Sequence, residues 1–252
     1  MVMLKTSEDL RKMSKAGEIS VGALLTAKHA IRAGVSTAYI DREVHGYIAE
    51  RGGSPSFLGY NGFPASVCVS INDEVIHGIP SGRVILRGDV VSIDVGVEYD
   101  GFHCDNAATF AVGEVAGEQA KLIRVTEECL SRAVEIVRKG KRIGDIGHAV
   151  QFHAQENGFS VVRDFIGHGI GRNLHEEPQV PNYGTAGRGL RLVPGMTIAI
   201  EPMINAGNKA VRVVDNGWTV VTLDGRCSAH FEMTVAVTDA EAVVLTDWRG
   251  VL

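Results

Sequence analysis

The chain has 252 residues, 45% of them hydrophobic and 22% charged, which is ordinary for a soluble globular protein with a large core. A net charge of −5 at pH 7 excludes the basic surface on which binding to nucleic acid depends. The N-terminal sequence becomes charged at Lys5 without an apolar signal segment, and no apolar run reaches the ~18 residues that span a membrane. We therefore expect a cytoplasmic protein with no membrane partner.

The spacing of apolar residues and the positions of turn residues predict alternating helical and strand regions. The first helix has Thr6 or Ser7 as its N-cap and Gly34 just past its end. The pairs Asp100-Gly101 and Asn216-Gly217 are hairpin-turn sequences. In chain order, the predicted elements are helices over 6–31 and 41–51, a strand over 67–71, two strands over 90–112, helices over 118–138 and 145–157, a hairpin over 211–223 and a strand over 229–237.

An internal repeat relates the two halves of the chain. Residues 88–94 and 195–201 each read as a turn glycine followed by an apolar strand that ends on a carboxylate, Asp94 or Glu201. A second set of positions, Gly34, Ile40 and Glu50, matches Gly140, Ile146 and Glu156 at nearly the same interval. We therefore predict a single α+β domain over 1–252, composed of two α/β halves, roughly 1–115 and 116–252, with a pseudo-two-fold relation.

Two acids of the predicted hairpin are candidates for a functional site. Asp94 and Asp105 lie on opposite arms around Asp100-Gly101, so the arms can bring the two carboxylates face to face. Each could instead cap or form a turn, but Ile93 and Val95 mark the strand as core-facing. Burying an unpaired carboxylate is costly, so we expect a partner, and a cation suits several converging acids.

Three further residues extend this candidate set to five. Glu201 occupies the position in the repeat that corresponds to Asp94, Glu232 lies in the last strand, and His168 is flanked by glycines that permit close approach of a ligand. Each of these residues alone could be structural. Together, four carboxylates and one imidazole suit a pair of divalent cations better than a single structural zinc.

Other reaction classes find less support. The sequence has neither a G-x-S-x-G elbow nor a Walker loop. Cys68 near His77 could indicate a thiol nucleophile, but the five metal-type residues favour a metal site. The four cysteines show no C-x-x-C spacing, which indicates reduced thiols in the cytoplasm.

These residues resemble the type I methionine aminopeptidases of the pita-bread fold, over almost the whole chain. The resemblance implies a curved antiparallel sheet shared by two related halves and the minimal bacterial form of the enzyme. The stretches that carry it are 56–60, 66–72, His77-Gly78-Ile79-Pro80, 92–96, the Asp105 strand, 167–178, 200–203 and the Phe231-Glu232 strand.

The resemblance implies a role for each site residue. Two divalent ions (Co, Mn, Fe, Zn or Ni) would be held by Asp94, Asp105, His168, Glu201 and Glu232, with Asp105 and Glu232 bridging both. His77, His175 and Glu201 would be catalytic: His175 at the scissile carbonyl, His77 near the amide nitrogen and Glu201 as proton carrier. His77 and His175 would also contact substrate, and the methionine pocket would be lined by Phe57, Tyr60, Phe63, Cys68 and Trp218.

The implied reaction is removal of the N-terminal methionine from nascent polypeptides after deformylation, with a preference for a small second residue. The enzyme would act as a monomer, and the ribosome exit region is a candidate partner. A docking surface there would have to be basic, and only Lys5, Arg11, Lys12 and Lys15 suggest one.

Five positions depart from the family pattern without removing any of the implied metal ligands. Met233 replaces a histidine, His230 a glutamine, Asn106 a threonine, Phe57 a cysteine and Leu174 an aromatic residue. Rival interpretations are an Xaa-Pro peptidase, which usually carries an extra N-terminal domain, a pita-bread binding protein without metals, and a ribosome-associated protein that acts mainly as a partner.

Overall fold

The computed structural model describes residues 2–251, which form four α-helices, one 3₁₀ turn and fifteen mostly short strands. None of the described helices is long and apolar enough to cross a membrane. The helices are α1 (Ser7–Ala30), α2 (Thr37–Glu50), α3 (Gly117–Ile136) and α4 (Ile143–Glu156), and the 3₁₀ turn is Tyr60–Gly62. The strands are β1 (Ser54–Pro55), β2 (Cys68–Ile71), β3 (Glu74–Ile76), β4 (Val90–Tyr99), β5 (Phe102–Ala111), β6 (Ser160–Val161), β7 (Gly167–Gly169), β8 (Glu176–Val180), β9 (Thr197–Ile200), β10 (Met203–Asn205), β11 (Val211–Val213), β12 (Val220–Thr222), β13 (Ser228–His230), β14 (Glu232–Ala236) and β15 (Val243–Val244).

The largest sheet has nine strands, all paired antiparallel. Its main order is β1-β4-β5-β14-β9-β7-β8, with β2 beside β4 and β15 beside β14. Two three-stranded sheets, β13-β10-β6 and β11-β12-β3, complete the β-structure of the described residues. The main hydrophobic core joins apolar residues of all four helices to the large sheet, which confirms the predicted α+β class.

Helix α1 begins at the predicted N-cap. The Thr6 hydroxyl accepts a hydrogen bond from the Asp9 backbone N–H, and the Asp9 carboxylate accepts one from the Thr6 N–H, forming a capping box. Helix α2 was predicted from residue 41, but it begins at Thr37, because the Ser36 hydroxyl caps it by accepting from the Tyr39 N–H. Helices α3 and α4 lie within two residues of the predicted bounds.

The internal repeat is visible in matched backbone hydrogen bonds. The Gly34 N–H donates to the Ile85 carbonyl, and the Gly140 N–H donates to that of Leu192. Both glycines adopt a left-handed backbone, with φ of 91° and 89°. The loop that precedes the second helix of each half therefore binds in the same way to the segment that leads into β4 or β9. The boundary between the halves near residue 115 stays a prediction.

The predicted hairpin over 90–112 is confirmed, since β4 and β5 pair continuously from Val90 opposite Ala111 to Tyr99 opposite Phe102. Asp100 and Gly101 both have positive φ, as a tight primed turn requires. The predicted hairpin over 211–223 is also present.

The single strand predicted over 229–237 is wrong. The chain breaks at Phe231, whose N–H donates to the Pro202 carbonyl outside the ladders. As a result, β13 pairs with β10 in a small sheet, whereas β14 joins the large one. Apolar residues alternate without interruption across the break, so the sequence pattern gives no sign that the strand changes its pairing partner here.

Candidate metal centre and substrate pocket

One cavity of about 380 Å³ opens on the large sheet and is lined by all twelve residues that the sequence nominated. The structure adds two lining residues, Asn61 and Leu174. Leu174 was noted only as a departure from the family pattern. Nothing in the sequence indicated that Asn61 lines the pocket, although Asn61-Gly62 is a turn sequence. The nominated lining residues are Phe57, Tyr60, Phe63, Cys68, His77, Asp94, Asp105, His168, His175, Glu201, Trp218 and Glu232.

The register of the sheet brings the acids together. Asp94 pairs with Ala107 on β5, and Ala107 pairs on its other side with Glu232 on β14, so the two acids flank one small residue in a row across three strands. Asp105 pairs with Gly96 and is therefore a diagonal neighbour of Asp94, not the directly facing partner that the hairpin suggested. Along a strand, side chains alternate between the two faces of the sheet, and directly paired residues share a face. All three acids therefore point to the same side.

Glu201 and His168 complete this group from the second half of the chain. The pairing of Met233 with Ile200, continued by one residue, places Glu201 beside Glu232. His168 lies on β7, which pairs with β9, and its Nε2 is 3.6 Å from Glu201 Oε1. Its Nδ1 is 2.9 Å from the carbonyl oxygen of Gly169, so Nδ1 carries the proton and the Nε2 lone pair faces the acids. We call these five residues the floor of the pocket: Asp94, Asp105, His168, Glu201 and Glu232.

The floor fits divalent cations. One ligand atom each of Asp105, His168 and Glu232 lies within 4.8 Å of the others. Oxygen atoms of Asp94, Asp105 and Glu232 are buried without a hydrogen-bond partner. The residues that line the cavity include neither lysine nor arginine. Buried carboxylates without a counter-charge are costly, and oxygen-rich donor sets with one imidazole bind hard to borderline divalent metals.

Burial dominates the protonation equilibria of the floor. It raises the pKa of Asp105 to about 7 and that of Asp94 well above its ordinary value, with the charge of Asp105 as the next cause for Asp94. Burial and neighbouring acids also raise the pKa values of Glu201 and Glu232. Burial lowers the pKa of His168 to about 3, so the ring is neutral and can act as a ligand.

Two threonines that sequence reasoning missed fix Asp105 in place. The Thr234 hydroxyl accepts from the Asp105 N–H at 3.0 Å and donates to the Asp105 carbonyl at 2.9 Å. The Thr246 hydroxyl accepts from the Thr234 N–H at 2.8 Å, which holds Thr234 in turn, and donates to the Asp105 carbonyl at 3.3 Å. The only sequence signal was the strand alternation that puts Thr234 on the same face as Glu232.

Aromatic side chains form the wall beside the floor. Phe63 makes edge-to-face contacts with Phe57, at 6.5 Å between ring centroids, and with Trp218, at 5.1 Å. A Cβ at Gly96 would lie 2.8 Å from the Phe57 ring, so only glycine lets this ring pack against β4. The wall is therefore apolar and holds a fixed shape.

His77 and His175 lie at the open side of the floor. His77 has a left-handed backbone with φ of 58°, and its ring makes edge-to-face contacts with Phe165 and Trp218. Burial, followed by the charge of His175, lowers the pKa of His77 to about 4. His175 Nδ1 is 2.8 Å from the Tyr60 hydroxyl, and its ring centroid is 4.2 Å from that of His168. We call Tyr60 and His175, with the loops 57–63 and 171–176 that carry them, the rim.

Three of the departures from the family pattern have different surroundings. Met233 packs in the main core, on the opposite face from Glu232. Asn106 pairs with Met233 and donates to the Ser20 hydroxyl on α1, away from the floor. His230 alone reaches the floor, with its buried, unpartnered Nε2 lying 3.9 Å from Glu201 Oε2.

Comparison with known proteins identifies clear relatives. The sequence pattern of metallopeptidase family M24 matches residues 11–239. The chain is 48% identical to a methionine aminopeptidase of Clostridium perfringens, over 98% of this chain and 99% of that protein. It is 45% identical to methionine aminopeptidase 1 of Bacillus subtilis, over 98% and 99%.

Solved structures agree. The crystal structure of a methionine aminopeptidase from Thermotoga maritima superposes with a TM-score of 0.97 at 43% identity, covering 98% of this chain and 100% of that chain. A prolidase from Pyrococcus furiosus superposes with a TM-score of 0.79 at 25% identity, but only 65% of that longer chain is covered. The two superpositions cover 98% and 97% of this chain.

Proposed function

The chain belongs to metallopeptidase family M24, and from this premise we propose that it removes the N-terminal methionine of polypeptides by hydrolysis that depends on two divalent metal ions. The observation that carries this proposal is the convergence of four buried acids and a neutral imidazole beside an apolar wall. Relatives named methionine aminopeptidase match nearly the full length at 42% to 48% identity, which supports the same reaction here.

The five floor residues would hold the metal ions, and Asp105, His168 and Glu232 already bring one ligand atom each within 4.8 Å of one another. When bound, divalent ions would polarise the scissile carbonyl and lower the pKa of a water molecule. Sequence and geometry leave the metal among Co, Mn, Fe, Zn and Ni, because carboxylate and imidazole donors accept all five.

Three side chains of the pocket would handle the substrate during the reaction. His175 donates a hydrogen bond to the carbonyl oxygen as negative charge develops on it. His77, which lines the same cavity and packs edge-to-face against Trp218, contacts the amide nitrogen of the scissile bond. Glu201 carries a proton from the nucleophile to the leaving amine, and its carboxylate lies among the floor residues, 3.6 Å from His168 Nε2, where both partners of this transfer would be bound.

The apolar wall would bind the methionine side chain. Phe57, Phe63, Cys68 and Trp218 lie beside the floor, so a thioether side chain can pack against aromatic rings while its amide is held near the acids. Cys68 pairs directly with Asp94, and burial raises its thiol pKa well above the usual range. It therefore acts as a small apolar surface and not as a nucleophile.

The floor also explains which N-termini are suitable. The acids attract a free amino group, whereas a formyl group would remove both its charge and its space, so the substrate is a deformylated chain. A small second residue is preferred because His77 and His175 lie close to the scissile bond. We propose that these chains are nascent polypeptides in the cytoplasm and that the enzyme acts as a monomer, since one chain supplies the whole pocket.

Three of the four basic residues that suggested a ribosome-docking surface form ion pairs. Lys5 is buried in an ion pair with Glu176, and Lys12 and Lys15 are paired with Asp100 and Glu18. Ribosome contact is therefore not part of this proposal.

The test combines a metal assay with peptide hydrolysis. The protein is loaded separately with Mn²⁺ or Co²⁺, its bound metal is counted, and it is assayed on Met-Ala-Ser, formyl-Met-Ala-Ser and Xaa-Pro peptides. We expect up to two ions per chain, cleavage of Met-Ala-Ser that a chelator abolishes, and a preference over the other peptides of at least about 100-fold. Equal rates on Met-Ala-Ser and Xaa-Pro peptides would indicate the rival prolidase activity instead.

A further inference from the structure

His168 and His175 are neighbouring rings whose Nδ1 atoms have chemically different partners. The Nδ1 of His168 faces the Gly169 carbonyl, which can only accept a hydrogen bond, so this nitrogen must carry the proton. The Nδ1 of His175 faces the Tyr60 hydroxyl at 2.8 Å, which can donate. A neutral imidazole has one N–H, and the partner at one nitrogen decides which nitrogen carries it.

We propose that the Tyr60 hydroxyl donates to His175 Nδ1 and so fixes the tautomer in which His175 Nε2 carries the proton. This inference rests on the proposed function, in which His175 must donate to the substrate carbonyl. Tyr60 is thus a positioning residue as well as part of the pocket lining. The adjacent rings of His168 and His175 then have opposite tautomers, one ready to bind a cation and the other ready to donate a hydrogen bond.

The position of Tyr60 is set by its own loop. Gly59 and Gly62 have positive φ of 81° and 88°, and the Gly59 N–H donates to the Phe63 carbonyl at 2.8 Å, which closes the loop. The Ser56 N–H donates to the Gly96 carbonyl and ties the loop to β4. Tyr60 is 36% exposed, yet its hydroxyl is directed to one atom by a closed and anchored turn.

The backbone of His175 is held independently. The Glu176 carboxylate accepts from the Asn173 N–H at 3.1 Å and forms an ion pair with Lys5 in which both side chains are 5% exposed. The Lys5 N–H donates to the Gly195 carbonyl at 2.7 Å, so the pair links the loop to a second part of the chain. With the backbone fixed, the remaining freedom of His175 is the orientation and tautomer of its ring, and Tyr60 contacts that ring at 5.2 Å between centroids.

A purely lining role for Tyr60 predicts a different result from a positioning role. Loss of packing against the methionine side chain would raise KM, whereas loss of the correct tautomer would lower kcat while substrate still binds. Tyr60→Phe separates the two, because it keeps the ring and removes only the hydroxyl. Tyr39→Phe on α2 is the matched control, since its ring lies between Arg32 and Arg42 and outside the pocket.

The direct readout is the histidine tautomer, observed by long-range ¹H–¹⁵N NMR on the metal-free protein labelled at histidine, with the His175 signals assigned from a His175→Ala sample. We expect an Nε2–H tautomer for His175 and an Nδ1–H tautomer for His168 in the unmodified protein. In Tyr60→Phe, His175 should become a mixture of tautomers while His168 is unchanged. With bound metal, kcat should fall about 3- to 10-fold, the effect of one lost hydrogen bond, and KM should change less than twofold.

An Nδ1–H tautomer for His175 in the unmodified protein would overturn the proposal, and so would a tautomer that Tyr60→Phe does not alter. A rise in KM at constant kcat would reduce Tyr60 to a lining residue. An unmodified protein that binds metal but cleaves no Met-Ala-Ser would refute the proposed function instead, because the tautomers are measured without metal or substrate.

Discussion

The floor of the pocket is carried mostly by strands of the large sheet, whereas the rim is carried by two loops that meet through the hydrogen bond and ring contact between Tyr60 and His175. Asp94, Asp105 and Glu232 are fixed by the registers of β4, β5 and β14. Tyr60 and His175 depend on a side-chain contact between two loops. A register shift of one of these strands would displace its acid from the other floor residues, whereas a change at the rim affects one contact between side chains.

The two regions also differ in burial and charge. Asp105 and Glu232 are 4% and 2% exposed and carry raised pKa values, whereas Tyr60 is at the surface. The acids of the floor thus need bound cations to neutralise them when they are ionised, whereas Tyr60 and His175 of the rim do not. Variants of the floor should lose metal and activity together, while variants of the rim should lose activity alone.

The largest effect should follow from breaking the floor at Asp105. Asp105→Asn keeps the size of the side chain but removes the charge at the centre of the metal group, so we expect the bound metal to fall below one ion per chain and activity on Met-Ala-Ser to fall at least about 10³-fold. Metal analysis after dialysis and peptide hydrolysis measure both. The exposed Asp239→Asn is the matched control. Full metal content in Asp105→Asn would remove this residue from the ligand set.

A smaller effect, confined to kcat, is expected at the rim. His175→Ala removes the donor to the carbonyl oxygen and should lower kcat about 10²-fold while leaving metal content unchanged. His168→Ala, at the adjacent ring, should instead lose metal. If His175→Ala also released the ions, the division between floor and rim would be wrong at this position.

The pH dependence of stability in the metal-free protein tests the floor without any substitution, because its buried acids change their protonation with pH. An acid whose pKa is higher in the folded than in the unfolded chain binds more protons when folded, so stability falls as pH rises through that window. Burial raises the pKa values of all four floor acids in this way, that of Asp105 to about 7. Buried histidines have the opposite sign, but unfolded histidines are already neutral above about pH 7.

We therefore expect the unfolding free energy of the metal-free protein to fall as pH rises from about 7 to about 8.5, because the floor acids stay more protonated in the folded than in the unfolded chain; Asp105 alone, with a pKa of about 7, contributes on the order of a few tenths of a kcal/mol of this loss. Denaturant titrations at both pH values measure the loss. Asp105→Asn should reduce it, and saturating metal should abolish it, because the ions bind the ionised acids. A stability that rises over this interval in the metal-free protein would show that other groups dominate.

The local sequence predicted that Asp94 and Asp105 lie on one face of the sheet, because the register of a hairpin follows from its tight turn. Asp100-Gly101 fixed the pairing of β4 and β5, which determined the face on which Asp94 and Asp105 lie. Only the diagonal offset of the two acids required coordinates. The break at Phe231 could not be predicted, since its N–H bonds to the carbonyl of Pro202, which is distant in sequence and lies between β9 and β10.

The rim was predictable only in part. The resemblance to known enzymes nominated Tyr60 and His175 separately, but their hydrogen bond joins residues more than one hundred positions apart. The ion pair between Lys5 and Glu176 was likewise hidden, because Lys5 was interpreted as a solvent-exposed basic residue. Side-chain contacts between loops leave no periodic pattern in a sequence, unlike the alternation of a strand.

The smallest expected effect concerns His230, which adds a second imidazole to the floor. The Glu201 carboxylate lies between two rings, with Oε1 3.6 Å from His168 Nε2 and Oε2 3.9 Å from His230 Nε2. An additional nitrogen beside the acids should favour Zn²⁺ or Co²⁺ over Mn²⁺, since imidazole is a better donor for the later metals. We expect His230→Gln to shift the ratio of bound Zn²⁺ to Mn²⁺ toward Mn²⁺ by a few-fold, an effect comparable to a weak ligand contact.

Equilibrium dialysis against both metals, followed by metal analysis, measures this ratio directly. His148→Gln on α4, whose ring stacks on Phe152, is the matched control. An unchanged ratio in His230→Gln would mean that His230 only fills space between β13 and the floor. A shifted ratio would instead show that His230 influences metal binding and belongs to the floor as a sixth residue. Of the three departures from the family pattern described above, the other two, Met233 and Asn106, face away from the floor.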